Sequence, residues 1–330
     1  MIQDPEVMMS RIVCLSPLTE DQVRGLAKGF DVEAVVLPGG STPEEVRAAV
    51  ADADIVIGDG LHRYHLDAGV LAAMRRCRLV QQPSVGFDGI DCETAARLGI
   101  PVSNSAGYNL DSVADWVVMA ILNLIRHGAW GDRRMRAGEW PMLKMLGREL
   151  GALTVGLVGV GNTGGAVADR LRAFGSRVLY YDVVPRSVTG AESCELNEVL
   201  ARSDVVSVHV PLDDSTRGLI GTAAIERMKQ GAYLINSSRG PVVDEDALVA
   251  ALASGRLAAA ALDVFATEPL PAGSELRRLE NVFITPHAAA FTRDANERVL
   301  AIVAANIRRV LSGEPPFNVV NTARPQQENK

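Results

Sequence analysis

The sequence predicts an α/β fold of two doubly wound parallel-sheet domains, and three observations lead there. Short β-branched runs alternate with longer Ala/Leu/Arg segments of helical period, the grammar of βαβ units and a parallel sheet. The alternation falls into two series separated by an unusually apolar helical segment. The 330 residues also exceed the roughly 250 to 300 over which a single hydrophobic core keeps growing.

In the first series, residues 11–15, 33–37, 54–58 and 78–82 read as strands, with 20–28, 43–51 and 67–75 as the helices between them. Together they make one small sheet of flavodoxin-like, doubly wound type. Residues 110–126 follow, apolar on nearly every face, as expected of a helix packed between domains. The second series places strands at 153–158, 177–181, 205–210, 233–236, 259–263 and 281–284, a set that suits a dinucleotide-binding Rossmann sheet. Residues 292–311 read as one amphipathic helix that stops at Gly313 and Pro315-Pro316.

Composition narrows the function. Apolar residues are 48% and charged residues 22%, an ordinary globular balance that gives no case for disorder. A formal net charge of −7 without a basic run argues against nucleic acid, whose phosphates demand a positive stripe. Asp4 and Glu6 stand where a signal peptide needs a basic head and an apolar body, so a cytoplasmic location is expected. The longest apolar stretch, 116–125, is interrupted by Asn123 and falls short of the ~20 residues that span a bilayer. Cys14, Cys77, Cys92 and Cys194 show no CxxC spacing and read as small buried hydrophobes. His62 and His65 have a spacing that suggests a metal pair, but no third ligand is apparent; solvated loop histidines are the plainer account, and no metal is expected. His127 and His209, at a helix end and a strand end, read as structural.

Gly159-Val160-Gly161-Asn162-Thr163-Gly164 is a GxGxxG, a weak pattern alone and a strong one in context. A strand precedes it, a helix over about 162–174 follows, and the next strand ends at Asp182, 18 residues past Gly164. Gly159 permits the tight turn, Gly161 the close approach of a pyrophosphate, and Gly164 the packing of helix on strand. The N–H groups of Asn162 and Thr163 lie at the helix start, where phosphate binds. Asp182 can accept from both ribose hydroxyls and would repel a 2′-phosphate, so NAD is the expected cofactor. Arg186, four residues on, could welcome a phosphate or simply sit in solvent.

Ligands of open parallel sheets gather beyond the carboxyl ends of the strands. That rule selects Gly159, Asp182, Arg239, Asp263, Glu268 and His287 from the second series. Interconverting a hydroxy acid and an oxo acid requires a proton acceptor for the hydroxyl, a cation for the carboxylate and carbonyl oxygens, and a nicotinamide nearby. His287 suits the base, Glu268 could hold its other nitrogen, and Arg239 suits a two-point carboxylate contact. Read singly, each has a plainer account: a surface arginine, a turn acid before Pro269, a satisfied histidine.

Five runs decide between these accounts: Val85-Gly86-Phe87-Asp88-Gly89-Ile90-Asp91, the glycine motif, Asn236-Ser237-Ser238-Arg239-Gly240-Pro241-Val242-Val243-Asp244, Leu262-Asp263-Val264-Phe265 with Glu268-Pro269, and Thr285-Pro286-His287. In this order, across nearly the whole chain, they resemble the D-isomer specific 2-hydroxyacid dehydrogenases. The resemblance implies reversible hydride transfer between NAD(H) and a small D-2-hydroxy or 2-oxo acid. It implies Arg239, Glu268 and His287 as the catalytic set, the backbone at Val85 and Gly86 as carboxylate contacts, and Asp263 as a contact to the nicotinamide amide. It also implies a substrate domain built from 1–104 and 291–330 around an NAD-binding domain over 105–290. A homodimer is implied as well, joined through the cofactor domains, with 110–140 contributing helix and arm.

Two stretches depart from the family pattern: Ala114-Asp115-Trp116, where an Ala-Glu usually precedes His or Gln, and Ala288-Ala289-Ala290 after His287. Gly58-Asp59-Gly60 occupies the loop where phosphoglycerate enzymes show an Arg-Ser contact, which disfavours a phosphorylated substrate. An NAD-sensing scaffold or corepressor of the same fold is the alternative, and the intact Arg, Glu and His set argues against it.

Overall fold

A computed structural model describes residues 9–61 and 63–321. The chain divides into two compact units: one runs to Tyr108 and resumes at Arg293, and the other is Asn109–Thr292.

In the first unit β1 (Ser10–Cys14), β2 (Val32–Val36), β3 (Ile55–Ile57), β4 (Leu79–Gln81) and β5 (Val102–Ser103) form a five-stranded sheet in the order β2-β1-β3-β4-β5. All its pairs are parallel, and the order is that of flavodoxin-like sheets. Side chains alternate across the pleat. Ile12, Cys14, Ile55, Ile57 and Leu79 pack against α1 (Glu20–Leu26) and the last helix of the chain, α11 (Arg293–Leu311). Val13, Leu15, Val56 and Val80 pack beneath α2 (Pro43–Val50), α3 (Ala68–Ala73) and α4 (Cys92–Arg97). Thr19 and Thr42 start α1 and α2 with capping boxes closed by Gln22 and Glu45, which satisfy otherwise orphaned N–H groups. Buried Asn306 of α11 donates to Gln81 Oε1 at 2.7 Å and accepts from Phe317 N–H at 2.9 Å, fixing helix and following segment to the sheet.

The second unit opens with α5 (Leu110–Ile125) and α6 (Gly128–Arg136). Its sheet comprises β6 (Thr154–Val158), β7 (Arg177–Tyr181), β8 (Ala191–Ser193), β9 (Val205–Val208), β10 (Ala232–Asn236), β11 (Leu257–Leu262) and β12 (Val282–Ile284), in the order β12-β11-β10-β9-β6-β7-β8. The direction of winding reverses between β6 and β9, the switch point of a Rossmann sheet. Val155, Leu157, Val205, Ile235 and Ala261 face α5 and α7 (Asn162–Ala173). Val158, Val206, Val208, Leu234 and Leu262 face α8 (Leu196–Arg202), α9 (Thr222–Arg227) and α10 (Glu245–Ala253).

Both sheets hold one strand more than the sequence pattern predicts. β5 is two residues long after Pro101, and β8 is Ala-Glu-Ser at the sheet edge, with no β-branched run to announce it. The apolar helix α5 spends its faces inside the second unit, where Val113, Val117 and Ile121 share a core with Leu157, Val167 and Leu171. That core accounts for the apolar composition of its inward faces. Among the described residues no helix is long and apolar enough to cross a membrane.

Candidate active site

The carboxyl end of β6 enters the glycine turn. Gly159 has φ 91°, open to glycine and strained for other residues. A Cβ there would stand 3.0 Å from the carbonyl carbon and oxygen of His209. A Cβ at Gly164 would fall 2.2 Å from the Gly159 carbonyl oxygen, so α7 can begin only because that side chain is absent. At Gly161 a Cβ would meet nothing within 4 Å: the turn is open on that side, and Asn162, Thr163 and Gly164 present first-turn N–H groups of a 12-residue helix there. Turn, open face and helix start fit a pyrophosphate.

His209, just past β9, backs this turn with its Nε2 2.9 Å from Ser207 Oγ. Burial of the imidazole pushes its pKa down to about 4, so it is neutral at physiological pH. Asp182, beyond β7, is oriented by two backbone donors: Val160 N–H to Oδ2 at 2.8 Å and Val184 N–H to Oδ1 at 2.9 Å. The first of these ties the acid directly to the glycine turn.

Arg239, Glu268 and His287 come from the loops after β10, β11 and β12, and three local devices bring them to one rim. The first is buried Asn236: its Oδ1 accepts from Ser238 N–H at 3.0 Å and its Nδ2 donates to the Arg239 carbonyl at 2.9 Å, folding the Asn236-Arg239 turn. The second is Gly240, whose Cβ would overlap the Phe265 carbonyl at 1.9 Å, so only glycine lets the Arg239 loop lie on the Glu268 loop. The third is Asp263, 1% exposed. Its Oδ1 accepts from Thr285 Oγ1 at 2.5 Å and from Ala288 N–H at 2.8 Å, and its Oδ2 from Ala289 N–H at 2.8 Å. The clasp presents His287 at φ 52°, its own N–H donated to the Asp263 carbonyl at 2.8 Å.

On this rim His287 Nδ1 lies 2.7 Å from Glu268 Oε2, both side chains 35% exposed. Glu268 Oε1 accepts from Phe265 N–H at 3.0 Å. Burial alone would raise the Glu268 carboxyl. The hydrogen bond and charge of His287, the Phe265 N–H and the Arg239 charge outweigh it and hold the group below the usual glutamate range. Arg239 Nη1 donates to the Ser238 carbonyl at 2.8 Å. A base, a carboxylate that fixes one of its nitrogens, and a guanidinium can together move a proton and bind an anion.

Val85 and Gly86 belong to the other unit. Their carbonyls are occupied, Val85 by Asn104 Nδ2 at 2.8 Å and Gly86 by Ser84 Oγ at 2.7 Å, which leaves their N–H groups as what the segment can offer. His62 lies outside the described residues. Sequence reasoning gave no role to Asn236, Gly240 or Thr285, although all three stand inside the quoted runs. A buried Asn at a strand end and a Gly directly after the arginine were the available signals.

The family model for D-isomer specific 2-hydroxyacid dehydrogenase, NAD binding domain, matches residues 118–289. The chain is 41% identical over 265 residues to the glyoxylate reductase of Korarchaeum cryptofilum (strain OPF8), covering 78% of this chain and 80% of that one. It is 36% identical over 325 residues to the D-3-phosphoglycerate dehydrogenase of Methanocaldococcus jannaschii, covering 97% of this chain and 61% of that one. The crystal structure of the TT0316 protein from Thermus thermophilus superposes with a TM-score of 0.85 at 35% identity, covering 94% of this chain and 99% of that one.

Proposed function

The chain belongs to the D-isomer specific 2-hydroxyacid dehydrogenases and transfers hydride between NAD(H) and hydroxy or oxo acids, and on that premise we propose that Arg239, Glu268 and His287 act on a small D-2-hydroxy acid. The observation that carries this reading is the 2.7 Å contact between His287 Nδ1 and Glu268 Oε2.

Bound NAD supplies the hydride acceptor and its reduced form the donor. With Nδ1 directed to Glu268, Nε2 is the ring atom that meets the substrate oxygen. It gives a proton to that oxygen when the oxo acid is reduced and takes one from the hydroxyl in the reverse direction. Glu268 fixes the tautomer and balances the imidazolium. Arg239 receives the carboxylate with its planar fork. Asp263 Oδ2 accepts from Ala289 N–H, and its second lone pair is the one that a nicotinamide amide would use. The Asn109–Thr292 unit is then the cofactor domain and the other the substrate domain.

We further read the molecule as a homodimer. Trp140, Met142, Leu143 and Leu146 form a run of exposed apolar side chains, Leu146 90% exposed, of the kind an interface covers. In the same unit a cavity of about 350 Å³ is walled by Trp130, Tyr233 and Phe283. All four cysteines are free thiols, in keeping with a reducing cytoplasm.

A panel of 2-oxo acids with NADH, from glyoxylate, hydroxypyruvate and pyruvate to bulkier aliphatic and aromatic acids, identifies the best substrate. On it, His287→Ala is expected to lose roughly 10² to 10⁴ in kcat with NADH binding retained. Near-normal turnover by that variant overturns the mechanism.

A further inference from the structure

The seven-stranded sheet has a second concavity, at the edge opposite the glycine turn and the His287 rim. Tyr233, Ala258 and Phe283 lie at the amino ends of the parallel strands β10, β11 and β12. With Trp130 of α6 they wall the cavity of about 350 Å³, a volume in the range of small-molecule sites. The aromatic wall is fixed by its own contacts. Trp130 Nε1 donates to Glu280 Oε2 at 3.3 Å, Arg134 lies over the indole with Cζ 5.5 Å from the ring centroid, and the same guanidinium is ion-paired with Glu280. Glu280, the one acid of the lining, is therefore committed: hydrogen bonds from Arg134 and then Trp130 hold it below the usual glutamate range. Arg133 and Lys144 line the same cavity, both exposed, and no described acid forms an ion pair with either.

Apolar sides and two uncommitted cations select the occupant. The exposed apolar run of a second copy suits the walls but not the charge, because residues 140–148 carry Lys144 and Arg148 and no acid. It would set cations beside cations, which opposes docking. A flat organic anion answers both features, with a ring for the Trp130 wall and acceptor oxygens for Arg133 and Lys144. We propose that this cavity is a binding site for a small aromatic carboxylate, separate from the catalytic rim. Both lie in the Asn109–Thr292 unit, and β10 and β12 run from the cavity wall toward Asn236 and Thr285, so the acid sits at the far end of the strands that lead to Arg239 and His287.

Calorimetry with 1-naphthoate and its uncharged analogue 1-naphthamide, on the NADH-loaded protein, tests the site. The carboxylate should bind, and the amide should bind about tenfold more weakly, the order of one charge-assisted contact. Arg133→Ala combined with Lys144→Ala should bring the carboxylate down to the affinity of the amide. Ala258→Trp, which adds a side chain at an exposed position of the cavity wall, should abolish binding of both probes. Equal affinity for acid and amide in the unmodified protein overturns the proposal, as does carboxylate binding that is unchanged in the variants, the result expected of binding at the catalytic rim. Absence of binding by the unmodified protein overturns it too, and binding that appears only in Leu143→Asp combined with Leu146→Asp assigns the cavity to a second copy instead.

Discussion

Asp263 accepts from one hydroxyl and two backbone N–H groups of the loop that carries His287. Asp263→Ala leaves three donors without their acceptor in a buried place, and each such loss costs about 1–3 kcal/mol. We expect a fall of about 3 kcal/mol in urea-unfolding stability and a lower kcat, because the imidazole is no longer held toward Glu268. Unchanged stability and kcat would show that the clasp is dispensable. His287, Glu268 and Arg239 were legible in the sequence as candidates, because titratable side chains beyond strand ends stand out and the family-like runs favoured them. The residues that aim them were not. Gly240 matters through the 1.9 Å approach of a Cβ to Phe265, and Asn236 through a turn it closes on itself, and neither distance is written in a spacing pattern.

Among the elements, the strands with β-branched cores were legible to within one or two residues, whereas β8, Ala-Glu-Ser, forms because Val178 to Tyr180 offer it an open edge. Tertiary context made that strand, and local propensity did not. Likewise the segment after α6 shows no periodicity, yet Trp140, Met142, Leu143 and Leu146 remain exposed there. If a second copy covers them, Leu143→Asp with Leu146→Asp should shift sedimentation from dimer to monomer at micromolar concentration, since burying two charges costs several kcal/mol. A double variant that sediments like the unmodified protein would place the interface elsewhere.

Acid sensitivity belongs to the whole molecule, because its causes lie in both units. Burial alone would raise Asp54, but hydrogen bonds from Arg76 and from Arg11 N–H outweigh it; Asp204 is lowered likewise by Thr154 N–H and Lys229. Carboxyls more acidic folded than unfolded give stability that is complete above the ordinary carboxylate range and is lost as pH falls through it and below. His209 acts at higher pH. Its folded value of about 4 against an ordinary value of 6.5 means that the unfolded chain takes the proton first. Stability should therefore decline from about pH 7 toward 4, by up to roughly 3 kcal/mol. Urea midpoints measured across that span should fall before the carboxylate limb begins, and His209→Gln should flatten the upper limb. A flat midpoint in the unmodified protein from about pH 7 to 4.5 would contradict the assignment.

The C-terminal helix α11 gives the chain an order of birth at odds with its order of completion. Val299, Val303 and Ile307 cover Ile12, Ile55 and Leu79, whose strands are made before the whole Asn109–Thr292 unit. The Asn109–Thr292 unit is one continuous stretch and is free to fold as soon as it is released, as domains do during synthesis. The older sheet meanwhile keeps the part of one oily face that α1 does not cover open until α11 has been made. During that interval the apolar surface is of the kind that chaperones shield, and a chain cut before α11 would keep it exposed.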